Sequence, residues 1–326
     1  MAAAPSTDLR PASPMAIALA LAAVYILWGS TYLAIRFALH GYPPFILASI
    51  RMAIAGAIMY AVLRARGTPA PTKKQWITLA KLSIFMVVLS NSLINLAETQ
   101  VSSGLAAIAV ASMPLFAGVF AMLRGRHPSR MEWMGLIVGF VGVIWLSVGG
   151  ELAGSTLGLA CLIIAPLAWA WGSIWSRDQD LPEPFMMAAG QMLVGTIWLV
   201  LIALVTGERI TTMPSFESTA ALLYLVVAGS IFGFTAYIWL LHHVRPALAT
   251  SYAYVNPPLA VLIGALIGGE TFTRHDLGAM AVILAGVVLI TLAKARGGAA
   301  AQPAKQEIAE EDRKSTRLNS SHYQPS

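Results

Sequence analysis

The stretch "WGSTYLAIR" (residues 28–36) decides the fold, because its first three letters return in "WGSIWSRDQ" (171–179). The same shift of 143 residues places "VSSGLAAIAVASMPL" (101–115) over "VRPALATSYAYVNPP" (244–258). The pairs brought together include Trp28 with Trp171, Pro114 with Pro257, and Gly135 with Gly278. The side chains match only modestly, but one constant shift across several segments is typical of an internal duplication.

The composition is that of an integral membrane protein. Of the 326 residues, 57% are hydrophobic and only 11% are charged, whereas soluble domains carry roughly 25% charged residues. The formal net charge is +6, but the basic residues sit in short clusters between apolar runs and not along one polar face, so no nucleic-acid partner is predicted. Cys161 is the single cysteine, which excludes an intramolecular disulfide.

Ten apolar runs are long enough to span a bilayer, which takes roughly 20 residues. They lie at 15–39, 44–64, 75–96, 103–123, 131–148, 155–176, 184–206, 217–241, 248–267 and 275–295. The first run lacks a clear small-residue cleavage site, so it is predicted to be a retained helix and not a signal peptide. The sequence thus predicts an all-α integral membrane protein with ten transmembrane helices.

The duplicated unit contains five helices, so the second copy must cross the membrane in the opposite sense to the first. Such inverted repeats are built around a binding site near the membrane midplane. The predicted repeats are 15–148 and 155–295, and the polar segments 1–14 and 296–326 are predicted to be disordered tails. The last stretch, "KSTRLNSSHYQPS", differs in character from the rest, which leaves a non-native origin open.

Basic residues predict the orientation, because they are enriched in cytoplasmic loops. With a cytoplasmic start, the inner joints and tail ends hold twelve, namely Arg10, Arg64, Arg66, Lys73, Lys74, Arg124, Arg126, Arg130, Arg177, Arg245, Lys294 and Arg296. The outer joints hold three, Arg36, Arg209 and Arg274. Both termini are therefore predicted to be cytoplasmic.

The sequence resembles the drug/metabolite transporter superfamily, in its ten-helix branch with two EamA domains, and there the YedA-like exporters. The resemblance rests on "WGSTYLAIRFALHGYPPFILASIRMAIAG" (28–56), "VSSGLAAIAVASMPLF" (101–116), "PALATSYAYVNPPLAVLIGALIGGE" (246–270) and the Gly-rich last helix of each half. It implies an inner-membrane carrier of small metabolites, often amino acids, that works by alternating access. The small multidrug-resistance relatives carry a mid-membrane Glu in their first helix; this chain has none there, so proton coupling through that position is not supported.

The apolar runs contain almost no ionisable groups. All five Asp and all six His residues fall in tails, joints or helix ends, so neither a metal site nor a catalytic triad can be assembled within the membrane, and no cofactor is predicted. Arg51 is the clearest exception, about 10 Å into its helix. Arg51 is either a cation that faces the substrate or pairs at a gate, or an Arg that snorkels to the interface, and we favour the first interpretation.

Further polar and aromatic residues are candidates for substrate contact. Glu98 is predicted near the outer face, where it could pair with Arg51, bind an amine, take up a proton or be merely solvated. Asn91 and Asn95 lie on one helix face, which fits either a wet cavity or interhelical hydrogen bonds. The other predicted substrate-binding residues are Trp28, Ser30, Trp171, Gln191, Tyr252 and Asn256, and the predicted kinks are Pro114 and Pro257.

These features predict an exporter of small metabolites with a central cavity between the two repeats. A membrane scaffold or assembly factor is the alternative, and a membrane-embedded enzyme acting on lipids is a weaker one. The expected partners are a small-molecule substrate and the lipid bilayer. The Gly pattern of "GLIVGFVG" (135–142) predicts close helix contacts, either within the fold or in a homodimer.

The predicted topology can be tested with single cysteines in a Cys161→Ser background. We expect cysteines at Lys73 and His243 to react with an impermeant maleimide only from the cytoplasm, and cysteines at Glu151 and Arg274 only from the periplasm. Labelling of position 73 from the periplasm would contradict both the orientation and the inverted repeat.

Overall fold

A computed structural model describes residues 12–125, 128–148, 155–244 and 246–293. The predicted tails, apart from residues 12–14, lie outside these residues, as do the joint at 149–154 and the basic residues Arg126, Arg245, Lys294 and Arg296.

The described chain is helical, and its helices follow the ten predicted runs closely. They are α1 (Pro14–Leu39), α2 (Pro44–Ala65), α3 (Lys73–Ala97), α4 (Ser103–Leu123), α5 (Arg130–Val148), α6 (Thr156–Asp178), α7 (Pro184–Thr206), α8 (Phe216–His243), α9 (Pro246–Ala249 and Tyr252–Leu266) and α10 (Arg274–Ala293). Nine of these are long and apolar enough to span a membrane, and Tyr252–Leu266 is a shorter apolar helix. The prediction of ten membrane helices is confirmed.

Helix starts follow from local sequence. Thr72 and Gln75 form a reciprocal capping box at the beginning of α3, and the carboxylate of Glu183 accepts from the Met186 N–H at the beginning of α7. Pro44 opens α2 and Pro184 opens α7, where a missing N–H costs nothing.

The second helices of the two repeats, α2 and α7, pack antiparallel along their length. Glu208, which follows α7, accepts from the N–H groups of Phe45 and Ile46 at the start of α2, at 3.0 and 2.9 Å. Further along both helices, Gly56 lies against Met192. Corresponding helices therefore run in opposite directions, and the two five-helix repeats are inverted.

The two ends of the bundle differ in their charged residues. We call the end that carries Glu98, Glu208 and Glu270 the glutamate end. The opposite end carries Arg64, Lys73 and Lys74 and is called the basic end.

Glycines allow α5 and α10, the last helices of the two repeats, to approach closely. A Cβ on Gly286 would lie 2.5 Å from the Gly139 Cα, and one on Gly142 would lie 2.7 Å from the Ile283 backbone nitrogen. The glycines of "GLIVGFVG" thus form helix contacts within the same chain. The homodimer stays a prediction that these glycines no longer support.

We expect Gly286→Ala to destabilise the protein by about 1–3 kcal/mol, because the added methyl group meets backbone atoms that cannot rotate away. Gly278→Ala is the matched control on the same helix, since its nearest neighbour is the Trp145 side chain at 3.1 Å. Thermal unfolding in detergent, followed by size-exclusion chromatography, would measure both variants. Equal melting temperatures of the Gly286→Ala and Gly278→Ala variants would show that α5 and α10 do not pack closely at Gly286.

Candidate functional site

A cavity lies between the two repeats and is lined by α1, α2, α3 and α4 of the first and by α6, α8 and α9 of the second. It contains roughly 870 Å³ of space, part of it open to solvent. Its polar lining residues are Thr31, Arg51, Ser90, Asn91 and Asn256, and its aromatic ones are Trp28, Tyr32, Trp169, Phe234 and Tyr252.

Two stretches of π-helix border this cavity, at corresponding places in the two repeats. They are Ile84–Ser92 within α3 and Leu225–Phe232 within α8. Such stretches are rare and are frequently found at functional sites. At the end of the second, the N–H of Gly233 donates to the Ala228 carbonyl, five residues back, instead of the Gly229 carbonyl. The Gly229 carbonyl is thereby released from this helical bond.

Trp28 uses the released carbonyl. Its indole Nε1 donates to the Gly229 oxygen at 3.1 Å, and the ring lies so close to α8 that a Cβ on Gly233 would be 2.3 Å from Nε1. Phe234 and Tyr252 pack edge-on against the indole, with ring centroids 5.4 and 4.8 Å away. The ring is therefore fixed as a rigid part of the cavity wall.

Arg51 lines the cavity from α2 and is only 4% exposed. Its Nε donates to the Ser230 hydroxyl at 2.9 Å, and its Nη1 has a longer contact of 3.5 Å with the Asn91 oxygen. Both partners belong to the π-helical stretches. Among the described residues, no carboxylate lies within ion-pair distance of Arg51, so the predicted pairing with Glu98 is absent from this structure. The burial argues against an interfacial, snorkelling Arg.

Helices α4 and α9, the fourth of each repeat, are interrupted beside the cavity. The break in α4 falls at Ala111 and Ser112, directly before Met113 and Pro114, because Pro114 has no N–H to donate to the Val110 carbonyl and its ring crowds that preceding turn. The break in α9 falls at 250–251, several residues before Pro257, which lies inside the continuing helix. Both interrupted regions contribute to the lining, through Val110, Ala111 and Met113 in α4 and through Ala253, Asn256 and Pro257 in α9.

Of the ten residues predicted to bind substrate, five line the cavity: Trp28, Arg51, Asn91, Tyr252 and Asn256. The other five lie elsewhere. Ser30 bonds to the Ile26 carbonyl and the Tyr224 hydroxyl. Asn95, Glu98 and Gln191 are buried outside the lining. Trp171 packs against Phe120, with ring centroids 5.2 Å apart. Substrate contact by these five stays a prediction.

Sequence reasoning missed Trp169 and Tyr32, which both line the cavity. Trp169 lies three residues after Pro166, another lining residue within α6, so a proline and an aromatic ring on one helix face were the available signal. The repeated triplet pointed to Trp171 instead.

Sequence reasoning also missed an ion pair at the glutamate end. Arg36 Nη1 lies 2.6 Å from Glu270 Oε1. The two oxygens of Glu270 further accept from the N–H groups of Ser103 and Gly104, which begin α4.

No group of three or more His, Cys, Asp or Glu side chains that could hold a metal ion occurs within the described ranges. The cavity is instead lined by aromatic rings, one cation and several amide and hydroxyl groups. Its chemistry is that of binding an organic molecule.

The family model for the EamA-like transporter family matches the chain twice, over residues 14–148 and 156–292. "Uncharacterized inner membrane transporter YedA" of Escherichia coli (strain K12) is 40% identical over 276 residues, which cover 84% of this chain and 90% of that protein. "Uncharacterized transporter YvbV" of Bacillus subtilis (strain 168) is 25% identical, over 87% of this chain and 94% of its own.

A solved crystal structure that is 20% identical in sequence superposes with a TM-score of 0.61, covering 85% of this chain and 98% of its own. The two proteins thus share a fold.

The aromatic walls can be tested by alanine substitution. We expect Trp28→Ala and Trp169→Ala to lower transport by about tenfold, because each removes a cavity-lining ring and such contacts contribute roughly 0.5–1.5 kcal/mol beyond buried area. Trp171→Ala, two residues away on the same helix, is the matched comparison, because Trp171 lies outside the lining and its predicted substrate contact is tested by the same measurement. The measurement is flux of labelled amino acids in proteoliposomes at equal protein content. A greater loss in Trp171→Ala than in Trp169→Ala would move the site away from this cavity.

Proposed function

The chain belongs to the EamA-like transporter family, and we propose that it exports amino acids or related carboxylate-bearing metabolites by alternating access through the central cavity. The family and the relatives make it a multi-pass inner membrane transporter and not an enzyme. Substrate, direction and mechanism are the proposed parts.

The buried guanidinium of Arg51 is the observation that carries the substrate class. A charge inside a membrane-spanning bundle is costly unless it is paired. The described carboxylates lie outside ion-pair distance of Arg51, while its Nε is already held by Ser230. A substrate carboxylate in the cavity would supply the missing negative charge and could accept charge-assisted hydrogen bonds from the guanidinium.

Asn256 supports a zwitterionic substrate. Its Oδ1 is buried, faces no donor among the described residues and belongs to a cavity-lining side chain. Such an unsatisfied acceptor fits an ammonium group, which only donates hydrogen bonds. The rings of Trp28, Trp169 and Tyr252 offer apolar surface for the remainder of the molecule. Together these groups match the parts of an amino acid.

Alternating access is supported by the arrangement of the interrupted helices. In inverted-repeat transporters, discontinuous helices at the repeat interface form the binding site, and the repeats rock around it. Here α4 and α9 are interrupted beside the cavity, one in each repeat. A scaffold would be expected to disperse its polar groups, whereas here Thr31, Arg51, Ser90, Asn91 and Asn256 line one cavity.

Orientation and direction rest on the sequence. The basic end carries the excess of Lys and Arg and is proposed to be cytoplasmic, with both termini on that side. The export direction follows the resemblance to exporters of the same superfamily.

We expect Arg51→Lys to lose most transport, at least about tenfold, and Arg51→Leu to be folded but inactive. Lys cannot offer the paired donors of a guanidinium, and Leu removes the charge. Arg64→Lys is the matched control, because Arg64 is exposed at the basic end and donates to the Thr68 carbonyl. Counterflow of a panel of labelled amino acids in proteoliposomes would measure transport, with size-exclusion chromatography as the check on folding. Normal transport by Arg51→Leu would show that Arg51 does not bind a substrate carboxylate and would contradict the proposed substrate class.

A further inference from the structure

Glu98 is a buried acid without a hydrogen-bond partner. It follows the last residue of the α3 span and is 6% exposed, and both of its carboxylate oxygens lack a donor. The side-chain oxygens of Asn95, Ser102 and Ser103, close to it in sequence, are also buried without partners. An ionised carboxylate in such surroundings is strongly disfavoured relative to the neutral acid.

The cations nearest to Glu98 are engaged elsewhere. Arg36 pairs with Glu270 at 2.6 Å, and Arg51 turns to Ser230 and Asn91. Neither makes an ion pair with Glu98 in this structure. The carboxyl is thus left beside two arginines that do not neutralise it by direct contact.

The groups that face Glu98 from the neighbouring elements are few. They are Tyr32 and Arg36 on α1, Arg51 on α2 and Glu270 before α10, while Cys161 is the one titratable residue in the Thr156–Trp175 part of α6. Burial, and after it the charge of Glu270, raises the pKa of Glu98 well above its usual range. The charges of Arg36 and Arg51 act in the opposite direction.

Glu98 lies at the glutamate end, on the side nearer to the cavity. Asn91, which lines the cavity, is seven residues earlier in the chain, so Glu98 is about 10 Å further along the helix. On the other side lies the pair of Glu270 and Arg36, whose side chains are 1% and 39% exposed. Glu98 thus belongs to the buried layer between the cavity and the water at the glutamate end.

We propose that Glu98 is a proton-binding site, neutral while the glutamate end is closed and ionised when that end opens to water. On opening, the carboxyl O–H bond breaks and the proton passes to water; on closing, a carboxylate oxygen takes up a proton from water. This rests on the proposed alternating access, and it makes the opening of the glutamate end, and transport through that end, dependent on pH. A bound metal cation fits less well, because it would add a third positive charge beside Arg36 and Arg51.

The sign of the pH dependence follows from linkage. The pKa of Glu98 is raised in the closed state and ordinary in a water-exposed state, so protonation stabilises the closed state. This stabilisation is fully present below the ordinary pKa of a glutamate and is lost as the pH rises through the raised pKa. High pH should therefore open the glutamate end.

The purified full-length protein can be tested without any substrate. In a Cys161→Ser background, Ser102→Cys places a thiol in the closed layer, where Ser102 is 5% exposed, and Thr99→Cys provides an exposed reference at the same end. Dividing the maleimide reaction rate of Ser102→Cys by that of Thr99→Cys removes the effect of pH on the thiols. We expect this ratio to rise with pH, by up to about tenfold per unit between the ordinary pKa of a glutamate and the raised pKa of Glu98.

Glu98→Gln mimics the protonated acid and should keep the ratio low at every pH. Glu217→Gln, an exposed glutamate of α8 at the same end, is the matched control and should keep the pH dependence. Ser103→Cys, at a fully buried position, provides a second probe if Ser102→Cys does not fold.

A pH-dependent ratio that persists in Glu98→Gln, or a ratio that does not change with pH in the parent, would overturn the proposal. So would a ratio that responds to replacing choline by Na⁺ at fixed pH and not to pH, since Glu98 would then bind a metal cation. Because the assay contains no substrate, its failure would leave the Arg51 experiment and the proposed substrate class unaffected.

Discussion

Backbone hydrogen bonding is the constraint on which this structure depends. Within a bilayer no water is available to satisfy a free carbonyl or N–H, so irregular backbone is tolerated only where protein groups or a wet cavity satisfy it. The π-helical stretches of α3 and α8 and the breaks in α4 and α9 all adjoin the same cavity. The Gly229 carbonyl shows how the constraint is met, since the indole of Trp28 takes the place of the missing helical N–H. The irregular backbone therefore lies beside the cavity, because protein groups and the cavity can satisfy its hydrogen bonds there.

The helices and their inverted arrangement could be predicted from the sequence, because hydropathy and a constant repeat shift are properties of long segments. The site could be predicted only in part. Trp28 and Trp171 occupy matching positions in the sequence, yet one contacts a released carbonyl on α8 and the other packs against Phe120. A repeated triplet does not report how its neighbours have diverged. The pairing of Arg36 with Glu270, 234 residues apart, likewise has no local signal in the sequence.

The divergence of the two repeats gives the cavity its chemical polarity. Arg51 comes from α2, whereas Gln191, near the corresponding place on α7, is neutral and lies outside the lining. One repeat thus supplies the cation, and the other supplies Ser230, which holds it, and Asn256, whose oxygen is free. A perfectly symmetric pair of repeats would offer two equal charges. The asymmetry places a positive group and an amide acceptor in one cavity, which suits a ligand that carries both signs of charge.

The same asymmetry governs how the two ends are held. At the glutamate end, two carboxylates of the second repeat bind the first: Glu208 holds the start of α2, and Glu270 holds Arg36 and the start of α4. Hydrogen bonds to charged groups contribute roughly 1.5–3 kcal/mol each, and the Glu270 side chain is 1% exposed. At the basic end, Arg124 pairs with Asp178, but those side chains are 37% and 63% exposed, where an ion pair contributes about 0–1 kcal/mol. Among these charged contacts between the repeats, those at the glutamate end hold more firmly. A movement that separates the repeats there must release the buried carboxylate of Glu270, whereas the Arg124–Asp178 pair at the basic end is already solvated.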